Sequence, residues 1–74
     1  MKILGIDPGL RKTGWGVVVW KHNSFSYLDD GFFFQNDELK LGQKLVRIFD
    51  SLSLLIKKTK PDLILIDGGK AQLK

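Results

Sequence analysis

The sequence predicts an α/β fold built on a mixed sheet, in which three antiparallel strands are followed by a helix and by a strand that returns parallel to the first. Three observations predict it. Two short apolar runs, Ile3-Leu4-Gly5-Ile6 and Leu63-Ile64-Leu65-Ile66, lack a helical period and are each closed by an aspartate and glycine. Between them lies a stretch rich in β-branched and aromatic residues, broken by a polar reversal. From about Glu38 the apolar residues instead recur at three- and four-residue steps.

The first run ends at Asp7-Pro8-Gly9, a turn signal, and reads as a strand buried on both faces. Residues 14–20, Gly-Trp-Gly-Val-Val-Val-Trp, make the second strand. Lys21-His22-Asn23-Ser24 supplies the reversal into the third, which resumes at Phe32-Phe33-Phe34 after Asp29-Asp30-Gly31 and is expected to bulge at Gly31. Aromatic residues at strand spacing usually fill a core, so Trp15, Trp20, Tyr27 and the three phenylalanines are assigned there. Leu41, Leu45, Ile48, Phe49, Leu52, Leu55 and Ile56 form one face of a helix of about five turns. Asn36 or Asp37 is expected to cap it and Pro61 to stop it. Placing the last apolar strand beside the first gives the beginning of a ribonuclease H-like sheet, with all 74 residues in one partial domain.

At 74 residues the core is small, and cysteine is absent, so neither disulfides nor a thiolate zinc site can reinforce it. The opening apolar run is too short for a signal peptide, and nowhere do roughly 18 apolar residues follow one another. This composition fits a soluble, cytoplasmic chain with no membrane partner. The net charge of +4 favours a polyanionic partner. Arg11 and Lys12, in the turn after Asp7, are candidate phosphate contacts, although such residues equally solvate a loop. Lys57, Lys58 and Lys60 fall where a helix ends and complement its dipole. Lys70 follows two glycines but lacks the spacing of a phosphate-binding loop.

Asp7 and Asp67 carry the chemistry. If their strands are parallel neighbours, both carboxylates emerge at the C-terminal end of the sheet, where ligands of open α/β sheets bind. Two carboxylates held close repel each other unless a cation joins them, and hard oxygen donors select Mg²⁺, with Mn²⁺ as a substitute. Such a site supports hydrolysis of phosphodiesters. Singly, each aspartate also suits a turn; the pairing of the two favours the metal.

Residues 3–18, Ile-Leu-Gly-Ile-Asp-Pro-Gly-Leu-Arg-Lys-Thr-Gly-Trp-Gly-Val-Val, closely resemble the opening of the RuvC Holliday junction resolvases. The spacing of Tyr27-Leu28-Asp29-Asp30-Gly31, of Leu45 and Ile48, and of Lys60-Pro61-Asp62 extends the resemblance over about the first 66 positions. It implies a Mg²⁺-dependent endonuclease acting on branched DNA as a homodimer, with Asp7 as its first catalytic acid. The family has glutamate where this sequence has Asp67, one methylene shorter. Residues 61–73 resemble instead the ribonuclease H-like nuclease motif of UvrC, in which the aspartate is catalytic. The resolvases also place two further acids in a C-terminal helix without a counterpart here, which implies weak or no activity for these residues alone. Two alternatives stand beside this reading. One is a non-catalytic DNA-binding or degenerate fragment; the other is a nucleotide-binding fragment, since the loop from Asp7 to Thr13-Gly14 also resembles the phosphate loop of the actin and sugar-kinase fold.

Overall fold

The computed structural model describes residues 1–67. It contains β1 (Lys2–Asp7), β2 (Lys12–Lys21), β3 (Ser24–Phe34), α1 (Leu41–Thr59) and β4 (Leu63–Ile66). The strands form a single sheet in the order β3-β2-β1-β4, with β2 antiparallel to β1 and β3, and β4 parallel to β1. No described helix is long and apolar enough to cross a membrane.

The β2–β3 connection is a two-residue turn in which His22 and Asn23 both adopt positive φ, at 53° and 61°. That conformation matches the twist of the flanking strands, and asparagine tolerates it better than most residues. The bulge lies elsewhere than expected. Val17 pairs with Asp29 and Val18 with Tyr27, so Leu28 is the extra residue, while Gly31 pairs regularly with Trp15. A Cβ on Gly31 would come within 2.8 Å of the Trp15 indole, so this glycine makes room for the ring.

In strands, alternate residues share a face, and the register Leu4↔Val17 and Ile6↔Trp15 directs these four side chains toward α1. Leu4, Ile6, Val17 and Leu55 form the buried core, with Trp15, Phe33, Leu52 and Ile56 packed against it. Only the second half of α1 reaches this core. Leu41, Leu45 and Phe49, expected on the buried face, are exposed. So are Phe32 and Phe34, because Phe33 faces inward and its neighbours must face outward, and Trp20 and Tyr27, also expected in the core, are exposed as well. The run Leu63–Ile66 is exposed as well, since among the described residues it pairs on one side alone and forms a sheet edge.

α1 starts at Leu41, later than its periodicity suggests. Asn36 does not cap it: its Oδ1 accepts the Glu38 N–H at 2.9 Å, forming a local turn that precedes the helix. Asp37 pairs with Arg11 and Lys44. The Gln43 side chain accepts the Lys40 N–H at the helix entrance, 3.0 Å away. At the other end Lys60 takes a left-handed conformation, its N–H bonded to the Ile56 carbonyl at 2.8 Å, and Pro61 follows. Lys2 Nζ donates to the Thr59 carbonyl at 2.8 Å, and Asp62 Oδ2 accepts the Lys2 N–H at 2.8 Å, tying the helix exit to the start of β1.

The turn between β1 and β2 is held from below. Thr13 is fully buried; its hydroxyl donates to the Gly9 carbonyl at 3.0 Å and accepts the Gly9 N–H at 3.4 Å. Thr13→Val preserves the shape and deletes both bonds. It is expected to cost about 1–3 kcal/mol of unfolding free energy, because the Gly9 groups lose their partner. Leu4→Ala is expected to cost about 3 kcal/mol through the cavity it leaves. Leu54→Ala, on the exposed side of α1, should stay within about 0.5 kcal/mol. Urea unfolding followed by circular dichroism ranks the three.

Candidate functional site

Asp7 is the last residue of β1 and Asp67 directly follows β4. The two strands pair in parallel from Ile3↔Leu63 to Ile6↔Ile66, and the Asp67 N–H continues the ladder to the Ile6 carbonyl at 2.8 Å. The aspartates therefore stand side by side at one end of the sheet, about one interstrand spacing of 4.8 Å apart along the backbone. Both are exposed.

They border a shallow depression of about 480 Å³, open to solvent, whose floor includes Gly5, Gly14 and Gly16. The register sets these glycines together: Gly5 pairs with Gly16, and Asp7 with Gly14. Their missing side chains are not demanded by the protein's own packing. A Cβ would meet nothing closer than 3.9 Å at Gly5 and 4.0 Å at Gly16. What the glycines provide is a backbone surface that a ligand can approach closely.

The basic residues stand at the same end of the sheet. Arg11 Nε lies 3.2 Å from Asp37 Oδ1, an exposed pair of the kind worth little in water and easily exchanged for a phosphate. Lys12 Nζ sits 4.0 Å from the centroid of the Phe32 ring and 6.0 Å from that of Phe34. At the far end of this face Tyr27 donates to Asp30 at 3.3 Å; desolvation and the Asp30 and Asp29 charges raise its phenol pKa. His22 lies in the β2–β3 turn, remote from both aspartates in the register.

Among the described residues no three His, Cys, Asp or Glu side chains gather where one ion could join them. The donor set is thus two carboxylates, which fits a cation that keeps several waters and takes further oxygens from a substrate phosphate, as Mg²⁺ does. Two features escaped sequence reasoning. The glycine floor is scattered in sequence and assembled by strand register. The outward Phe32 and Phe34 were legible in principle, because in a strand an inward Phe33 forces its neighbours outward.

The RuvC model, "Crossover junction endodeoxyribonuclease RuvC", matches residues 3–68, through β4 and Asp67. The resemblance to UvrC read from residues 61–73 has no counterpart in these matches, and its residues from 68 onward, Lys70 included, lie outside the described residues. The chain is 42% identical over 67 residues to the RuvC of Cupriavidus pinatubonensis, covering 90% of this chain and 37% of that protein. It spans 32% of the RuvC of Methylobacterium radiotolerans, so about a third of the length of such relatives is represented. Among solved structures, RuvC of T. thermophilus in complex with a Holliday junction substrate superposes with a TM-score of 0.77 at 21% identity, covering 89% of this chain and 41% of that one. The Ppx/GppA enzyme of Aquifex aeolicus superposes with a TM-score of 0.68 at 14% identity, covering 89% and 25%. At these identities the superpositions establish the fold, a partial ribonuclease H-like mixed sheet. With both aspartates inside the matched span, the chain belongs to the RuvC family of crossover junction endodeoxyribonucleases.

Proposed function

We propose that these residues form part of the nuclease domain of a RuvC-type endonuclease that resolves Holliday junctions in cytoplasmic DNA recombination and repair, working as a homodimer. The observation that supports it most is the emergence of Asp7 and Asp67 from parallel neighbours at one end of the sheet. In this reading the two carboxylates hold Mg²⁺, or Mn²⁺ in its place. The bound ion would supply charge neutralisation at the phosphate during in-line displacement. The rest falls to the chain itself: Arg11 and Lys12 contact DNA phosphates, and the glycine floor lets the backbone of the strand lie close. Asp67 reaches one methylene less far than a glutamate and would offer its carboxylate to the ion on a shorter side chain.

Four predictions test this. Backbone amide signals broadened by substoichiometric Mn²⁺ should centre on Ile6, Asp7 and Asp67 and lose that centre in Asp7→Asn. Broadening centred instead on Asp29 and Asp30 would place the cation elsewhere. With Mg²⁺, the 74 residues should nick a synthetic four-way junction at least about a thousandfold more slowly than a full-length resolvase. The shortfall corresponds to about 4 kcal/mol of missing transition-state stabilisation from further acidic ligands. Robust nicking abolished by Asp7→Asn would show that the site is complete within these residues. Binding to the junction should weaken steeply with salt, and Arg11→Ala with Lys12→Ala should flatten the slope of log K against log salt by about two. Gly16→Ala should leave thermal stability nearly unchanged, as its Cβ would be 4.0 Å from the nearest atom, yet weaken junction binding.

A nucleotide-binding reading of the loop from Asp7 to Thr13 is the alternative, to which the likeness to Ppx/GppA, being one of fold alone, adds nothing. A thermal shift on adding Mg-ATP but not junction DNA would favour it.

A further inference from the structure

Phe32 and Phe34 are exposed, at 57% and 72% of their full accessible area. Strand alternation puts them opposite the core-facing Phe33, on the face away from α1. Their rings are 6.1 Å apart and tilted by 44°, so neither covers the face of the other. The register fixes where they stand relative to the carboxylates. Asp7 pairs with Gly14 and Gly14 with Phe32, which places Phe32 level with Asp7, two strands across, with only a glycine between them. The Phe32 ring leans toward that glycine: a Cβ on Gly14 would meet its edge at 3.5 Å. Lys12 completes the group, its ammonium poised 4.0 Å from the Phe32 centroid.

We infer that Phe32, Phe34 and Lys12 form a stacking platform for an unpaired base of a DNA strand whose phosphate backbone passes over Gly14 toward Asp7 and Asp67. The inference rests on the nuclease reading above and adds to it the state of the substrate: the platform takes a nucleotide drawn out of its helix. Paired bases hide their faces in the stack, whereas an unpaired base offers its π-face to exposed aromatic rings regardless of sequence. The positive charge supports this occupant over another apolar surface. The ammonium of Lys12 rests on a ring now, and when a base takes that place it can turn to the adjoining phosphate, with Arg11 beside it.

The test compares a labelled oligothymidine strand with the same strand carrying abasic sites, by fluorescence anisotropy at low salt. Wild-type chain should bind the base-bearing strand at least about fivefold more tightly than the abasic one. Phe32→Leu combined with Phe34→Leu keeps apolar volume and removes the π-faces. It should abolish that preference while leaving affinity for the abasic strand and the melting temperature nearly unchanged. Equal wild-type affinity for the two strands overturns the platform without requiring any variant to fold. Retained preference in the leucine variant also overturns it. If the wild type binds the four-way junction but shows no base preference, the platform fails and the nuclease reading stands; if it binds no DNA, both fail. Sedimentation of the same samples decides the remaining case. A self-associated wild type split into monomers by the leucine variant, with strand affinity unchanged, would make the rings a contact between copies and overturn the proposal.

Discussion

The parallel pairing of β4 with β1 is the contact on which the candidate site depends. β1 would form against β2 without it, and the core of Leu4, Ile6, Val17 and Leu55 draws on no residue of β4. Only the ladder from Ile3↔Leu63 to Ile6↔Ile66 brings Asp67 beside Asp7. Its register is weakly specified by burial, because every residue of β4 is exposed. What fixes it is polar: the Asp62 N–H donates to the Lys2 carbonyl at 2.8 Å and the Asp62 carboxylate takes the Lys2 N–H in return, clamping the first rung. A slip by one residue would turn Asp67 toward the other face of the sheet.

Among the described residues the sheet is packed on one side and only partly covered there. α1 closes over β1 and β2 with its C-terminal half, while Leu41, Leu45 and Phe49 stay exposed. The other face bears Gly5, Gly14 and Gly16 beside exposed aromatic rings. An exposed apolar face of this kind usually marks a surface that meets something. Here it adjoins the carboxylates, so structure and chemistry point to the same end of the molecule.

Much of this was readable from the residues. The strand ends at Asp7 and Ile66, the hairpin at His22-Asn23, the helix stop before Pro61 and the parallel return of the last strand follow from turn chemistry and apolar pattern, which act locally. The errors share a cause. Asn36 and Asp37 are good caps by type, yet their side chains are engaged in a local turn and in ion pairs with Arg11 and Lys44. Gly31 marks the close approach of Trp15 and the bulge falls at Leu28, which no residue type announces. Burial of the aromatic residues was inferred from strand spacing, but burial depends on what covers a strand, and among the described residues α1 covers only part of the sheet. The glycine floor was unreadable because its members come together through register alone.

The clamp between Lys2 and Asp62 joins residues 60 apart in the chain, whereas β1, β2 and β3 are successive and linked by short turns. Closing so long a loop costs entropy that the hairpin contacts do not bear, so in folding the meander can assemble before β4 docks. The reverse process follows the same order: a strand of four residues with exposed side chains, at the sheet edge among the described residues, is a natural first element to detach in local opening. Each such excursion separates Asp67 from Asp7 while the remainder of the fold persists. The carboxylate pair is therefore a property of the fully closed state, and its lifetime is set by the fraying of one short strand, not by the stability of the domain as a whole.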